Sequence, residues 1–206
     1  MVDHWAMRRS PGIFVLLALA LALVPAADAT REDTWATHRE AGFSMSAPST
    51  WIDVTRLSPQ VLAKARQLPS LQPYIDAVQR SQAIKLLLVD VGRTTVVDHY
   101  ATNLNVVQLA AGAADLQLVH DATAAQLRNS GAVVGPLDIQ YTTLPAGRAV
   151  ELRYKARFGT APLVSLLQFA FVHAGSETVV TYTSLPKRAT QNLPSFLRSI
   201  RSLRWS

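Results

Sequence analysis

Residues 147–159, GRAVELRYKARFG, alternate between polar and apolar side chains. A period of two is the pattern of a β-strand, because successive side chains point to opposite faces of a sheet. One predicted face is apolar and runs from Val150 to Phe158. The other face carries Glu151 and three cations, Arg153, Lys155 and Arg157. The pattern therefore predicts a strand that is buried on one side and basic on the other.

Periodicity predicts the other elements as well. A hairpin is expected over 43–54, with its turn at Pro48-Ser49, and further strands over 83–92 and 102–109. Four strands between 132 and 183 are separated by short turn-like breaks, which favours an antiparallel meander. Helices are expected at 61–68, 71–78 and 113–129, and at the C-terminus, where Pro194 would lie in the first turn. This order predicts an α+β fold rather than a doubly wound parallel sheet.

The N-terminus has the pattern of a secretory signal peptide. Arg8 and Arg9 precede an apolar run over 13–24, and Ala27-Asp28-Ala29 has the form of a signal peptidase site. The run is shorter than the roughly 20 apolar residues that a membrane-spanning helix needs. We therefore expect a signal peptide over 1–29 that is cleaved after Ala29, with an uncleaved anchor as the alternative. The mature protein is expected to be secreted, with no transmembrane segment.

The rest of the chain is expected to form one domain. Residues 30–41 are polar and lack apolar periodicity, which predicts a flexible lead, and residues 42–206 follow as the single domain. The sequence has no cysteine, so disulfides, a lipobox, thiolate metal sites and cysteine nucleophiles are excluded. A net charge of +6 on an exported protein favours solubility or attraction to acidic cell-surface material, not a nucleic-acid partner.

Four stretches resemble the PsbP-like and Mog-like family: GFSMSAPSTWIDVT, ATNLNVVQL, LPAGRAVELRYKARF and FLRSIRSLRW. The resemblance covers most of 42–205. It implies a three-layer α/β/α sandwich with a central, mainly antiparallel sheet. The family includes a photosystem subunit, a nuclear transport factor that binds a small GTPase, and exported bacterial proteins. It therefore implies a binding or accessory role without choosing a partner.

The histidines do not show the spacing of a metal or catalytic site. His38 lies in the predicted lead, and His173 is expected to be partly buried at a strand end. His99 and His120 each adjoin an aspartate, but adjacent side chains should diverge and make poor ligands for one metal. No G-x-S-x-G or phosphate-loop motif occurs. We expect no catalytic residue, no metal and no cofactor.

Two asparagines, Asn103 and Asn105, share one predicted face at the start of a strand. Hydrogen bonding to nearby backbone at a turn accounts for them, with a ligand contact as the alternative. The last helix carries a second basic cluster, which is favoured near a helix C-terminus by the helix dipole: Arg198, Arg201 and Arg204.

The cations Arg153, Lys155 and Arg157 are the candidate binding face. Neighbours on one face of a strand lie roughly 6.6 Å apart, so three like charges repel unless water, acids or a ligand screens them. Solvation and partner binding both fit. The leading hypothesis is a secreted, non-catalytic binding or accessory domain that contacts an unknown protein or acidic cell-envelope component. The alternatives are a small secreted hydrolase whose site forms only in the fold, and a structural subunit of an envelope assembly.

Overall fold

The structure is a computed structural model, and it describes residues 34–58, 60, 78, 81–112 and 114–206. The predicted signal peptide, its cleavage after Ala29 and most of the helices predicted at 61–78 lie outside these residues. The described part contains ten strands and three α-helices. The strands are β1 Trp35–Glu40, β2 Phe43–Pro48, β3 Trp51–Asp53, β4 Ile84–Asp90, β5 Asn103–Ala110, β6 Asp138–Leu144, β7 Gly147–Ala156, β8 Val164–His173, β9 Ser176–Ser184 and β10 Arg204–Trp205. The helices are α1 Arg93–Asp98, α2 Leu116–Asn129 and α3 Pro186–Arg201.

A seven-stranded sheet forms the centre of the described structure, in the order β3-β4-β5-β9-β8-β7-β6. Every neighbouring pair in it is antiparallel. The last four strands form the predicted meander, since β6, β7, β8 and β9 are adjacent in sequence order. The prediction of an α+β fold with a mainly antiparallel sheet is confirmed.

One face of this sheet packs against α3 and a second sheet, which has the order β1-β2-β10. Phe43 and Met45 of β2 are fully buried in the same cluster as Phe196 and Ile200 of α3. Ser46 joins the helix end to this sheet, because its N–H donates to Ser202 Oγ at 2.7 Å and its carbonyl accepts from Ser199 Oγ at 2.7 Å. The apolar side of the last helix therefore faces the core.

The opposite face packs against α2. Val119 and Leu127 of this helix are buried with Leu152 and other residues of β7 and β8. The helix begins at Leu116 rather than near residue 113, because the Asp115 side chain accepts a hydrogen bond from the backbone N–H of Leu118 at 2.8 Å and caps the first turn.

The start of the domain differs from the prediction. Trp35–Glu40 is not part of a flexible lead but forms strand β1, which pairs with β2 around the two-residue turn Ala41-Gly42. Gly42 has a φ of +92°, a conformation that glycine adopts without strain. The predicted hairpin of Phe43–Pro48 with Trp51–Asp53 is wrong, because β2 belongs to the small sheet and β3 pairs with β4 in the large one. After the Pro48-Ser49 turn, the chain instead leaves the small sheet and enters the large one.

The last helix also begins earlier than predicted. Pro186 occupies its first turn, where a missing N–H costs no intrahelical bond, so this proline starts the helix. Pro194 lies inside the helix and not in its first turn. The expectation for Pro194 was wrong because the polar residues before it form two extra turns.

Candidate binding site

Strand β7 shows the predicted alternation at its C-terminal half. Tyr154 and Ala156 are buried toward α2, whereas Arg153, Lys155 and Arg157 are exposed. The three cations alternate with buried apolar residues, so the core fixes the direction in which they leave the sheet. The candidate face is therefore accessible in the described structure.

Glu151 behaves differently from the cations that share its face. It is 6% exposed, and Arg153 Nε donates to its Oε1 at 2.5 Å. The Arg153 side chain is itself 46% exposed. Removing the cation would leave a buried carboxylate without its ion-pair partner, which is costly. Arg153 is therefore a structural partner of Glu151 as well as a surface charge.

Lys155 and Arg157 form no ion pair and no side-chain hydrogen bond within the described ranges. Their backbone is nevertheless held: Val134 N–H donates to the carbonyl of Lys155 at 2.8 Å, and Arg157 N–H donates to the carbonyl of Ala132 at 2.8 Å. On the other side, Lys155 is paired with Ser165 of β8. Two uncompensated cations thus project from a backbone that has neighbours on both sides at Lys155 and is bonded to Ala132 at Arg157.

The cations at the end of α3 have local contacts. Arg198 lies over the Trp35 ring, with its guanidinium carbon 4.2 Å from the ring centroid. Arg204 donates to the carbonyls of Arg201 and Leu203 at 2.8 and 2.7 Å. These contacts at the helix C-terminus agree with the structural role predicted for this cluster.

His99, His120 and His173 lie in or next to three different elements of the fold. His99 is exposed and ends α1 in the left-handed conformation, with φ of 50°. His173 is exposed rather than partly buried as predicted, and its ring stacks on Trp205 at 4.6 Å. Within the described ranges, no group of three or more His, Asp or Glu side chains is arranged to hold a metal ion.

The expectation for His120 was wrong in one respect. Its Nδ1 lies 2.8 Å from Asp121 Oδ1, so these adjacent side chains converge instead of diverging. The bond forms at the exposed surface of α2, where both side chains are free to turn toward each other. The His120 ring also stacks on Tyr141 of β6 at 5.2 Å.

Asn103 and Asn105 have different surroundings. Asn103 is buried, and its side-chain amide donates to the carbonyl of Ala101 at 3.2 Å, which agrees with the local backbone role that the sequence predicted. Asn105 lies in β5 opposite Leu87 and Thr181 of the neighbouring strands.

An ion cluster that the sequence does not predict surrounds Asp98. Lys187 Nζ lies 2.6 Å from Asp98 Oδ1, and Arg188 Nε lies 2.7 Å from Oδ2. The hydrogen bonds from Arg188 and Lys187 lower the pKa of Asp98 to about 2. The cluster borders a small pocket that Tyr100 and Asn192 also line. No local pattern indicates this contact, because it joins the end of α1 to the first turn of α3.

A second missed contact joins the two sheets. His38 Nδ1 of β1 lies 3.8 Å from Asp53 Oδ2 of β3. Burial alone would raise the pKa of Asp53, but the nearby His38 ring and the hydrogen bonds from Thr55 lower it below its usual value. The sequence does not predict this contact, because His38 lies in a polar stretch without apolar periodicity and Asp53 lies in a different sheet.

No helix in the described ranges is long and apolar enough to span a bilayer. No protein-family model matches the chain, and no curated protein matches it in sequence. Solved structures do match. Cyanobacterial PsbP (CyanoP) from Synechocystis has a TM-score of 0.54 at 11% identity, over 88% of this chain and 98% of that one.

The chain has a PsbP-like/Mog-like fold. Two further structures are similar in shape. LpqN, involved in cell envelope biogenesis of Mycobacterium tuberculosis, has a TM-score of 0.49 at 14% identity, over 84% of this chain and 90% of its own. The Ran-binding protein Mog1p of Saccharomyces cerevisiae has a TM-score of 0.46 at 12% identity, over 82% and 95%. At such identities the likeness concerns the fold, and the sequence resemblance is confirmed at that level.

Proposed function

We propose that this protein is a non-catalytic binding or accessory domain that contacts an acidic partner, a protein or a cell-envelope component, through Lys155 and Arg157. The observation that carries the proposal is the pair of exposed, uncompensated cations on a backbone that is held by hydrogen bonds to residues 132–134. The held backbone presents both cations on one face, and their charge attracts an acidic surface before contact.

The proposed place of action is outside the cytoplasm. The support is the N-terminal sequence, in which basic residues, an apolar run and the Ala27-Asp28-Ala29 site follow one another. A secreted basic domain meets acidic polymers, lipids and proteins at the cell envelope, so the location and the cationic face agree.

The proposed architecture is a three-layer α/β/α sandwich. On the face opposite α3, Val78 is helical and packs against the cluster of Leu87, Val89 and Ala101. With α3 on one face and α2 and Val78 on the other, helical residues lie on both sides of the large sheet, which supports the proposal.

A binding role is favoured over hydrolysis by the surroundings of the acids and histidines. Asp98, the acid beside the small pocket, is held by Lys187 and Arg188 and has a pKa of about 2, which is unsuited to a general base near neutral pH. His99 is exposed, and His173 stacks on Trp205. The proposal therefore places no residue in a catalytic role.

The test is retention of the full chain on immobilised polyglutamate at low salt. The variant carries Lys155→Glu and Arg157→Glu, and its retention is expected to fall by about tenfold or more, because two attractive charges become repulsive. Its thermal transition should stay within a few degrees of that of the unmodified protein, since both side chains are exposed and unpaired.

The matched control is Arg93→Glu with Arg201→Glu, which changes the net charge by the same amount on α1 and α3. Arg93 and Arg201 are both exposed. If the control loses as much retention as the test variant, binding depends on net charge or on the α3 cluster and the proposal fails. Retention that is unchanged by the test variant contradicts it directly.

A further inference from the structure

Strand β6 forms one outer edge of the large sheet. It pairs with β7 on one side, and no described residue pairs with its other side. Four of its seven residues are exposed: Asp138, Gln140, Tyr141 and Thr143. An edge strand presents unpaired N–H and C=O groups, which another extended segment completes when it adds to the sheet.

The other strand ends offer less backbone. At the opposite edge of the large sheet, β3 is three residues long and runs directly into a turn of 3₁₀ helix, Val54–Arg56. In the small sheet, β10 has two residues. β1 has six residues, but the Arg39 carbonyl already accepts a hydrogen bond from Arg56 at 2.6 Å. β6 is therefore the longest outer strand in the described structure.

A preordered aromatic group lies on this edge. Tyr141 is 41% exposed, and the guanidinium carbon of Arg148 lies 4.3 Å from the centroid of its ring. The His120 ring contacts the same tyrosine at 5.2 Å, with the two planes 21° apart. Tyrosine and arginine are the residue types that most often anchor protein interfaces, and a ring held by two neighbours loses little freedom on binding.

The charges near β6 favour an acidic partner. β7, the strand next to β6, carries the exposed cations Arg148, Arg153 and Lys155. Two copies that paired antiparallel through the centre of β6 would bring their Tyr141 rings, and the Arg148 guanidinium group over each ring, close together, so like charges disfavour a second copy. A residue added opposite Tyr141 on the same face would lie about 5 Å from it between Cβ atoms. An acid at that place would meet Arg148, whose guanidinium already leans over the ring.

We infer that an acidic, extended segment of a partner protein adds to the sheet beside β6 as an eighth strand, anchored by Tyr141 and Arg148. The inference rests on the proposed binding function, and it specifies the conformation of the partner and the place where it binds. Backbone hydrogen bonds to β6 hold the segment, and Arg148 selects for an acidic side chain on the face that carries Tyr141.

The test is amide hydrogen exchange of the full chain with and without an alternating Val-Glu peptide of about ten residues, which is long enough to cover the 7 residues of β6. Exchange across Asp138–Leu144 is expected to slow with this peptide, and exchange across β1 and β3 to stay unchanged. The matched Val-Lys peptide, which has the same β-propensity and the opposite charge, is expected to have no effect.

Two variants test the anchors. Arg148→Glu is expected to weaken binding of the Val-Glu peptide about tenfold or more, against little change for Arg93→Glu, which reverses a charge on α1. Tyr141→Ala is expected to weaken binding, whereas Tyr141→Phe keeps the ring and should bind normally. The unmodified protein supplies the main readout, so the inference remains testable if a variant fails to fold.

Three results would overturn the inference: no slowing across β6 at millimolar peptide, slowing at another strand, or equal slowing by the Val-Lys peptide. Slowing by anionic vesicles but not by peptide would also overturn it, in favour of a membrane surface. If β6 shows no protection while polyglutamate retention still depends on Lys155 and Arg157, the strand addition fails and the proposed function stands.

Discussion

Replacing Trp205 tests how the C-terminal residues close the core beneath the small sheet. Trp205 Nε1 donates to the carbonyl of Ala146 at 2.7 Å, which contributes about 1 kcal/mol net. Its ring meets Phe171 edge to face at 5.6 Å, and such a pair adds about 1 kcal/mol. Trp205→Ala also loses the burial of a half-buried ring, so all three losses together should lower the free energy of unfolding by about 3 kcal/mol.

The assay is urea unfolding, in which the midpoint should fall and the slope should stay the same. Trp205→Phe is the control, because it keeps an aromatic edge for Phe171 and loses the bond to Ala146; it should cost about 1 kcal/mol. A loss below about 1 kcal/mol for Trp205→Ala would refute the reasoning, since the last residues would then not support the core.

Two further predictions concern charged groups. Arg153→Met should lower the free energy of unfolding by about 1–2 kcal/mol, because it leaves the buried Glu151 carboxylate without its ion-pair partner. Lys155→Met is the control and should change the free energy of unfolding by less than about 0.5 kcal/mol. Urea unfolding measures both variants, and equal effects would contradict the ion-pair account. The pKa of Asp98 is lowered from 3.8 to about 2, chiefly by Arg188, so the stability it contributes is present above pH 3.8 and is lost as the pH falls toward 2. Asp98→Asn should therefore reduce the change in the free energy of unfolding between pH 3.8 and about 2. If the variant shows the same change as the unmodified protein, Asp98 is not its source.

Local patterning predicts the central part of this fold well. The meander follows from alternation within each strand and from short breaks such as Pro145-Ala146, since neighbours joined by short turns pair with each other. Helix α2 follows from its apolar period. These elements depend on residues near one another in sequence, where a single pattern determines both the strand and its buried face.

Pairing between distant segments is what the sequence does not predict. Trp35–Glu40 lacks an apolar alternation because β1 is an edge strand that is only partly buried, so it resembles a polar lead. The turn after Pro48 has ordinary turn composition, and nothing local shows that the next strand enters the other sheet. The contact of Asp98 with Lys187 and Arg188 depends on the same long-range packing.

The candidate site was partly predictable. Alternation alone placed Arg153, Lys155 and Arg157 on one face, and all three are exposed. It also placed Glu151 with them, but only the structure shows that Glu151 is buried and pairs with Arg153. Because this ion pair makes Arg153 part of the fold, Lys155 with Arg157 is the sharper pair to reverse.

The affinity of the full chain for polyglutamate, measured across a range of salt concentrations, tests the binding account most directly. If Lys155 and Arg157 carry the contact, affinity falls steeply with salt for the unmodified protein and for the Arg93→Glu, Arg201→Glu control, because salt screens exposed charges. The Lys155→Glu, Arg157→Glu variant then binds weakly at every salt concentration, with a shallow dependence. Curves of the same steepness and affinity for all three proteins would contradict the account.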